Sequence, residues 1–181
     1  MSSALSQRRD GAVAGVVGGR LVVAGGYAHG VGPLTSVEAY TPTGWTPLPP
    51  MPHEVVQATA CVLNGQLYVA GGFRSRKLQV FDGTSWSAKA DLPANRWTAA
   101  AIAHEGRLIL IGGVVHVEYP PTCTVITYDP QTDTWQTEAS PSVNREFGTA
   151  WVYQDKLYFA CGRVSSADSN NHYKSIEVFN A

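Results

Sequence analysis

The sequence predicts an all-β fold assembled from four copies of one unit of forty-odd residues, each unit read as four short antiparallel strands. Three observations predict it. Segments beginning at Arg8, Ala58, Thr98 and Gly148 align with one another without a gap through the part they share. Each brings a glycine pair, or what remains of one, to a single column: Gly25-Gly26, Gly71-Gly72, Gly112-Gly113 and Cys161-Gly162. After a loop of variable length each unit has an apolar stretch ending in an aromatic residue: VEAY at Tyr40, LQVF at Phe81, VITY at Tyr128 and IEVF at Phe179. In the first three a tryptophan follows, at Trp45, Trp86 and Trp135. Self-similarity at a fixed period of about 20–50 residues marks a stacked repeat architecture, and no helical period runs through any unit.

Within a unit, the first two strands are runs of small and branched apolar residues joined at a polar turn. Leu63-Asn64-Gly65-Gln66-Leu67 is the clearest case, with glycine supplying the positive φ of a tight hairpin. The third strand ends at the aromatic residue. The fourth carries the tryptophan and closes before a proline turn, as at Leu48-Pro49-Pro50 and Leu92-Pro93. Leu21, Leu67, Leu108 and Leu157 share a column, as do Arg9, Arg96 and Arg145, with Val55 breaking the arginine series. The units fall at about 9–52, 53–93, 94–141 and 142–181 of a single domain over 1–181, and the last lacks its tryptophan strand. The glycine pairs are expected to let backbone pass where a side chain would clash, and the aromatic columns to pack between units.

Composition bounds the function. A chain of 181 residues that is 44% hydrophobic and 15% charged suits a globular domain, and a net charge of -1 gives no bias toward nucleic acid or an anionic membrane. No nucleic-acid or membrane partner is expected. Cys61, Cys123 and Cys161 have no zinc-binding spacing and read as reduced thiols, so no metal or other cofactor is expected. Arg8 and Arg9 followed by a Gly-interrupted apolar stretch look superficially like a signal peptide, but the stretch recurs downstream as a structural unit. The expectation is a cytoplasmic protein.

The glycine pair, the spaced aromatic residue and the tryptophan resemble the kelch-repeat family over essentially the whole chain, from about Arg9 to Phe179. The resemblance implies four-stranded blades set radially about a channel, a β-propeller of four repeats with its last blade incomplete. Kelch propellers commonly have more than four blades, so three architectures stand: a small four-bladed ring, part of a larger propeller, or closure by self-association. An open array would expose the apolar faces of its terminal blades, which makes a homo-oligomer a serious expectation.

Because successive strands alternate direction, strand-one entrances and the loops between strands two and three lie at one end. That face collects the variable loops, and on it fall Arg9, Arg74, Arg76, Arg96, Arg145, Arg163, Tyr27, Phe73 and Trp97, the candidate ligand-binding residues. Tyr119 and Tyr173 belong to the same loops. Guanidinium groups beside aromatic rings suit a carboxylate-bearing partner, and some kelch-domain adaptors hold acidic segments with arginines in the column of Arg9, Arg96 and Arg145. An arginine at a blade entrance can equally bond backbone carbonyls. The expected function is therefore a protein-interaction module for a protein or peptide of acidic character. The alternative is a kelch-propeller enzyme acting on a sugar or sugar acid, of epimerase or oxidase type, with Arg145-Glu146 beside Arg9-Asp10 as the nearest approach to an acid, a base and a carboxylate clamp. His29, His116 and His172 share the face without forming an obvious copper set, and no nucleophile elbow or phosphate loop is present.

Overall fold

The computed structural model describes residues 4–115, 122–138, 142, 144–163 and 174–180. Among them there is no helix. The first blade is β1 (Val13–Val17), β2 (Arg20–Ala24), β5 (Val37–Thr41) and β6 (Gly44–Leu48), with a small hairpin of β3 (Tyr27–Ala28) and β4 (Gly32–Pro33) inside its long loop. The second blade is β7 (Thr59–Leu63), β8 (Gln66–Ala70), β9 (Leu78–Phe81) and β10 (Trp86–Lys89). The third is β11 (Ala100–His104), β12 (Arg107–Ile111), β13 (Val125–Asp129) and β14 (Thr134–Glu138). β15 (Thr149–Tyr153), β16 (Lys156–Ala160) and β17 (Ile176–Asn180) make a fourth sheet of three strands. All pairings within the blades are antiparallel and follow chain order, so each blade is a meander.

The turn chemistry works as the sequence implies. Leu63 pairs with Gln66 across Asn64 and Gly65, which sit at φ 51° and 77°, the pair of positive values that suits the twist of a two-residue hairpin. The aromatic and tryptophan columns meet across strands three and four, with ring centroids 5.4 Å apart for Tyr40 and Trp45, 5.0 Å for Phe81 and Trp86 and 5.1 Å for Tyr128 and Trp135. Their indoles also tie the blade to the linker before it. Trp86 Nε1 donates to the Pro49 carbonyl and Trp135 Nε1 to the Ala90 carbonyl, each at 2.9 Å.

The core lies between blades, because both faces of a middle blade are apolar. Val17, Val22 and Val37 of the first blade bury Leu67, Val69 and Phe81 of the second. Leu63, Tyr68 and Leu78 of the second meet Leu108, Leu110 and Tyr128 of the third. Ile109, Ile111 and Val125 of the third close on Leu157 and Phe159 of the fourth. Each fully buried side chain of this size contributes about 1.5–3 kcal/mol.

Two backbone bonds recur at every junction. The N–H of the second glycine of a pair donates to the carbonyl at the next blade's entrance: Gly26 to Val55 and Gly72 to Arg96 at 2.8 Å, Gly113 to Arg145 at 2.9 Å. Two residues further along the chain, Gln57 N–H donates to Gly11, Thr98 to Gln57 and Phe147 to Thr98, each at 3.0 Å. These bonds explain the first glycine of the pair. Gly71 is at φ 68°, and a Cβ there would run into the Arg96 carbonyl of the next blade; at Gly112 it would lie 2.5 Å from the Arg145 carbonyl. The arc of blades is a partial propeller and does not close on itself.

Candidate functional site

The entrance to strand one and the start of the loop after strand two lie side by side, as alternating strand direction requires. The pairings Asp10 with Tyr27, Trp97 with Val114 and Glu146 with Arg163 fix this in blades one, three and four. In blade two the Phe73 N–H donates to the Val56 carbonyl at 2.8 Å. The candidate residues thus share one end of the arc, but they divide sharply by depth.

Arg9, Arg96 and Arg145 are buried, with side chains of Arg9 and Arg145 2% and 0% exposed and Arg96 4% exposed as a residue. Each guanidinium reaches the first member of its own blade's glycine-pair column, 16 positions along the chain. Arg9 Nη1 donates to the carbonyls of Gly25 at 3.1 Å and Ser36 at 3.0 Å, and Nη2 to Glu38 Oε1 at 2.7 Å. Arg145 repeats the arrangement on the carbonyls of Cys161 and Ser175, with Nη2 donating to Ser175 Oγ at 3.0 Å and Glu177 Oε1 at 2.9 Å. Among the described residues Arg96 has no carboxylate partner; Nη1 donates to the carbonyls of Gly112 and Thr124, and Nη2 to the Thr124 hydroxyl at 2.6 Å. Burial pulls the pKa of Arg96 down to about 10. These hydrogen bonds staple the ends of strands two and three together beneath the loops.

The second residue of the third strand completes this pattern. Glu38 also accepts the Ser6 N–H at 3.0 Å, and Glu177 the Ser142 N–H at 2.7 Å. Where Val55 replaces the arginine, the column holds Gln79, whose amide closes on both backbone groups of His53, at 2.8 and 3.1 Å. Sequence reasoning missed this coupling, although its signal stands in VEAY, LQVF and IEVF.

Above the buried layer lies the accessible one. Phe73 is exposed, packs edge-on against Trp97 at 5.5 Å and carries the Arg74 guanidinium 5.2 Å from its centroid. Trp97 is itself almost buried, at 7%. Arg76 is exposed, and among the described residues neither Arg74 nor Arg76 makes an ion pair. Tyr27 is exposed beside His29, their ring centroids 6.3 Å apart. In blade four, Arg163 lies 4.9 Å over the exposed ring of Phe147 while its Nε donates to the buried Glu146 at 3.1 Å. Phe147 escaped the sequence reading. It follows an arginine by two positions, where the column otherwise holds Gly11, Gln57 and Thr98, and it shares their left-handed backbone, with a φ of 55°.

Tyr119, Tyr173, His116 and His172 lie outside the described residues. Among the described residues no group of three His, Cys, Asp or Glu side chains is placed to hold a metal ion. No helix of the described residues is long and apolar enough to cross a membrane.

Comparison with known proteins agrees with this architecture. The kelch motif matches residues 8–52 and 98–142, stretches that each hold both glycines of the pair, the aromatic residue and the tryptophan. Kelch repeat protein M-T8 of Myxoma virus (strain Lausanne) is 28% identical over 85% of this chain and 32% of its own length. Kelch-like protein 35 of Mus musculus is 30% identical over 84% of the chain and 27% of its own length. The chain therefore spans about a third or less of these relatives. A solved structure described as "Structure of YjhT" superposes with a TM-score of 0.80 at 21% identity, covering 94% of this chain and 68% of that one, a likeness of fold alone. With its repeated glycine pairs, its aromatic columns and its radial blades, the chain belongs to the kelch-repeat β-propeller family.

Proposed function

We infer that this chain is a protein-interaction module whose partner-binding surface is the loop face, and that the partner presents an acidic segment. The observation that carries the reading is the layering of that face. Phe73, Arg74, Arg76, Tyr27 and the Phe147–Arg163 pair form the accessible layer, and Trp97 supports Phe73 from below. Aromatic rings beside guanidinium groups are the composition of an interaction hot spot, and an arginine that pairs with no carboxylate of the described residues is a natural donor to a partner's carboxylate. Arg9, Arg96 and Arg145 serve this surface from beneath by holding the loop ends. Kelch-like relatives support binding over catalysis. The three free cysteines suit the cytoplasm, where thiols stay reduced.

Selection from a random peptide library on the immobilised domain tests this. The expected product is a set rich in Asp and Glu whose binding weakens at least about tenfold in an Arg74→Glu/Arg76→Glu variant, with the melting temperature unchanged. A set without acidic enrichment, or binding indifferent to both substitutions, would refute the reading. Turnover of sialic acids or aldoses by the purified protein would put the sugar-enzyme alternative in its place.

A further inference from the structure

The two end faces of the arc are copies of faces that are buried inside it. In blade two, Leu63, Tyr68, Leu78 and Val80 pack against the next blade and are at most 4% exposed. The pairing registers place Tyr153, Tyr158, Ile176 and Val178 of blade four at the same positions. There Tyr153 is 58% exposed, Ile176 57% and Val178 50%, and Trp151 lies stacked on Tyr158 in the same face. At the other end, Val62, Leu67 and Phe81 of blade two pack in the first junction. Their counterparts in blade one, Val16, Leu21 and Tyr40, are 57%, 42% and 44% exposed. One chain therefore offers both halves of a contact that it makes three times internally.

The backbone at the two ends matches as well. At each internal junction one N–H of a glycine-pair column and one carbonyl two residues past the arginine column face the next blade. Among the described residues, the Gly162 N–H and the Phe147 carbonyl have no such neighbour, nor do the Arg9 carbonyl and the Gly11 N–H at the other end. We propose that the face of Trp151, Tyr153, Ile176 and Val178 binds the Val16, Leu21 and Tyr40 face of a second copy, head to tail, as a further blade junction.

Cys161 makes that junction looser than the internal ones. At Gly25, Gly71 and Gly112 the space of a Cβ is filled from the next blade, by Val55 side chain and carbonyl at 2.5 and 3.0 Å, by the Arg96 carbonyl, and by the Arg145 carbonyl at 2.5 Å. Cys161 holds the same column at φ 61° and brings a real Cβ and sulfur into that space. A second copy must sit back from it. The contact is heterologous, so it yields a ring or an open chain of copies according to its angle.

Light scattering after size-exclusion chromatography, from micromolar to near-millimolar protein, reads the association directly. Wild type should grow in mass with concentration. Val16→Asp and Trp151→Asp each put a carboxylate into the contact and should each weaken association at least about tenfold. Mixed together, they should form a one-to-one dimer, because each retains the face that the other has lost. Cys161→Gly should tighten association relative to wild type. Circular dichroism melts confirm that each variant is folded, and Leu21→Asp with Ile176→Asp is the replacement pair if either is not. A wild type that stays monomeric throughout overturns the proposal. So does a mixture that stays monomeric, or association unmoved by either charge. Cys161→Gly without tightening overturns the placement of the second copy's Arg9 carbonyl over residue 161. Because every readout is self-association, peptide binding on the loop face can fail without touching this result.

Discussion

At the scale of the residue, the arginine column is the instructive case, because one residue type at one position was open to two opposite uses. Arg9 is committed to two carbonyls and to Glu38, whose side chain is 4% exposed. Removing one member of a buried pair strands the other and costs about 3–5 kcal/mol. Arg9→Val should therefore destabilise the protein by that order in chemical denaturation. The second blade already shows the compatible alternative, Val55 with Gln79. Arg9→Val/Glu38→Gln should recover more than about 1 kcal/mol of the loss, as a coupling energy in a double-mutant cycle; strict additivity would show that the two residues do not act as a pair. Which role the arginine takes was not legible from the column itself. It is decided by what lies behind the guanidinium, and that is the third strand brought back by a loop of unequal length. Cys61 gives a second prediction at this scale. Burial pushes its thiol from 9.0 up to about 12. A group whose folded pKa is raised favours folding below its unfolded pKa, and that contribution is lost as pH climbs toward the folded value. Stability should fall between about pH 9 and pH 12, less steeply in Cys61→Ala, and Cys61 should resist alkylation at pH 8 until the chain unfolds.

At the scale of the element, most of the fold was legible because a blade uses local chemistry four times over. The Asn64-Gly65 turn, the alternating apolar strands and the aromatic-to-tryptophan spacing each point to one conformation, and their recurrence multiplies the signal. The glycine pair was legible as a close approach, though not what approaches it. The first glycine makes room for the entrance carbonyl of the following blade, and the second donates its N–H to that same carbonyl. Gly71→Ala should thus cost at least about 2 kcal/mol, from the left-handed φ together with the overlap on Arg96. Gly19→Ala is the control. It has a φ of 74° but no atom within 4 Å of the added Cβ, so only the conformational cost of about 1–2 kcal/mol applies. Equal losses at the two sites, measured by denaturant midpoint, would mean that the junction yields freely. Phe147 shows the limit of column reading: the column predicts a small or polar residue at a left-handed position, and the ring that stands there instead belongs to the surface.

At the scale of the whole molecule, the blades form a one-dimensional series in which each contacts only its neighbours, so stability is a sum of blade and junction terms. Blades two and three are buried on both faces. Blades one and four are buried on one. The described strands of blade four also lack a fourth partner, which leaves β17 at the edge of its sheet. Local opening should follow this gradient. In hydrogen–deuterium exchange on dilute protein, the amides of β8 and β12, held on both sides by paired strands and sandwiched between blades, should exchange last. Those of β15 and β16 should exchange well before them, and β1 and β2 should fall between, since β6 completes their sheet. Val16→Asp, which touches only the outward face of blade one, should leave the order unaltered. Uniform protection across all four blades would instead mean that opening is global, with junction terms so large that the ends cannot fray independently.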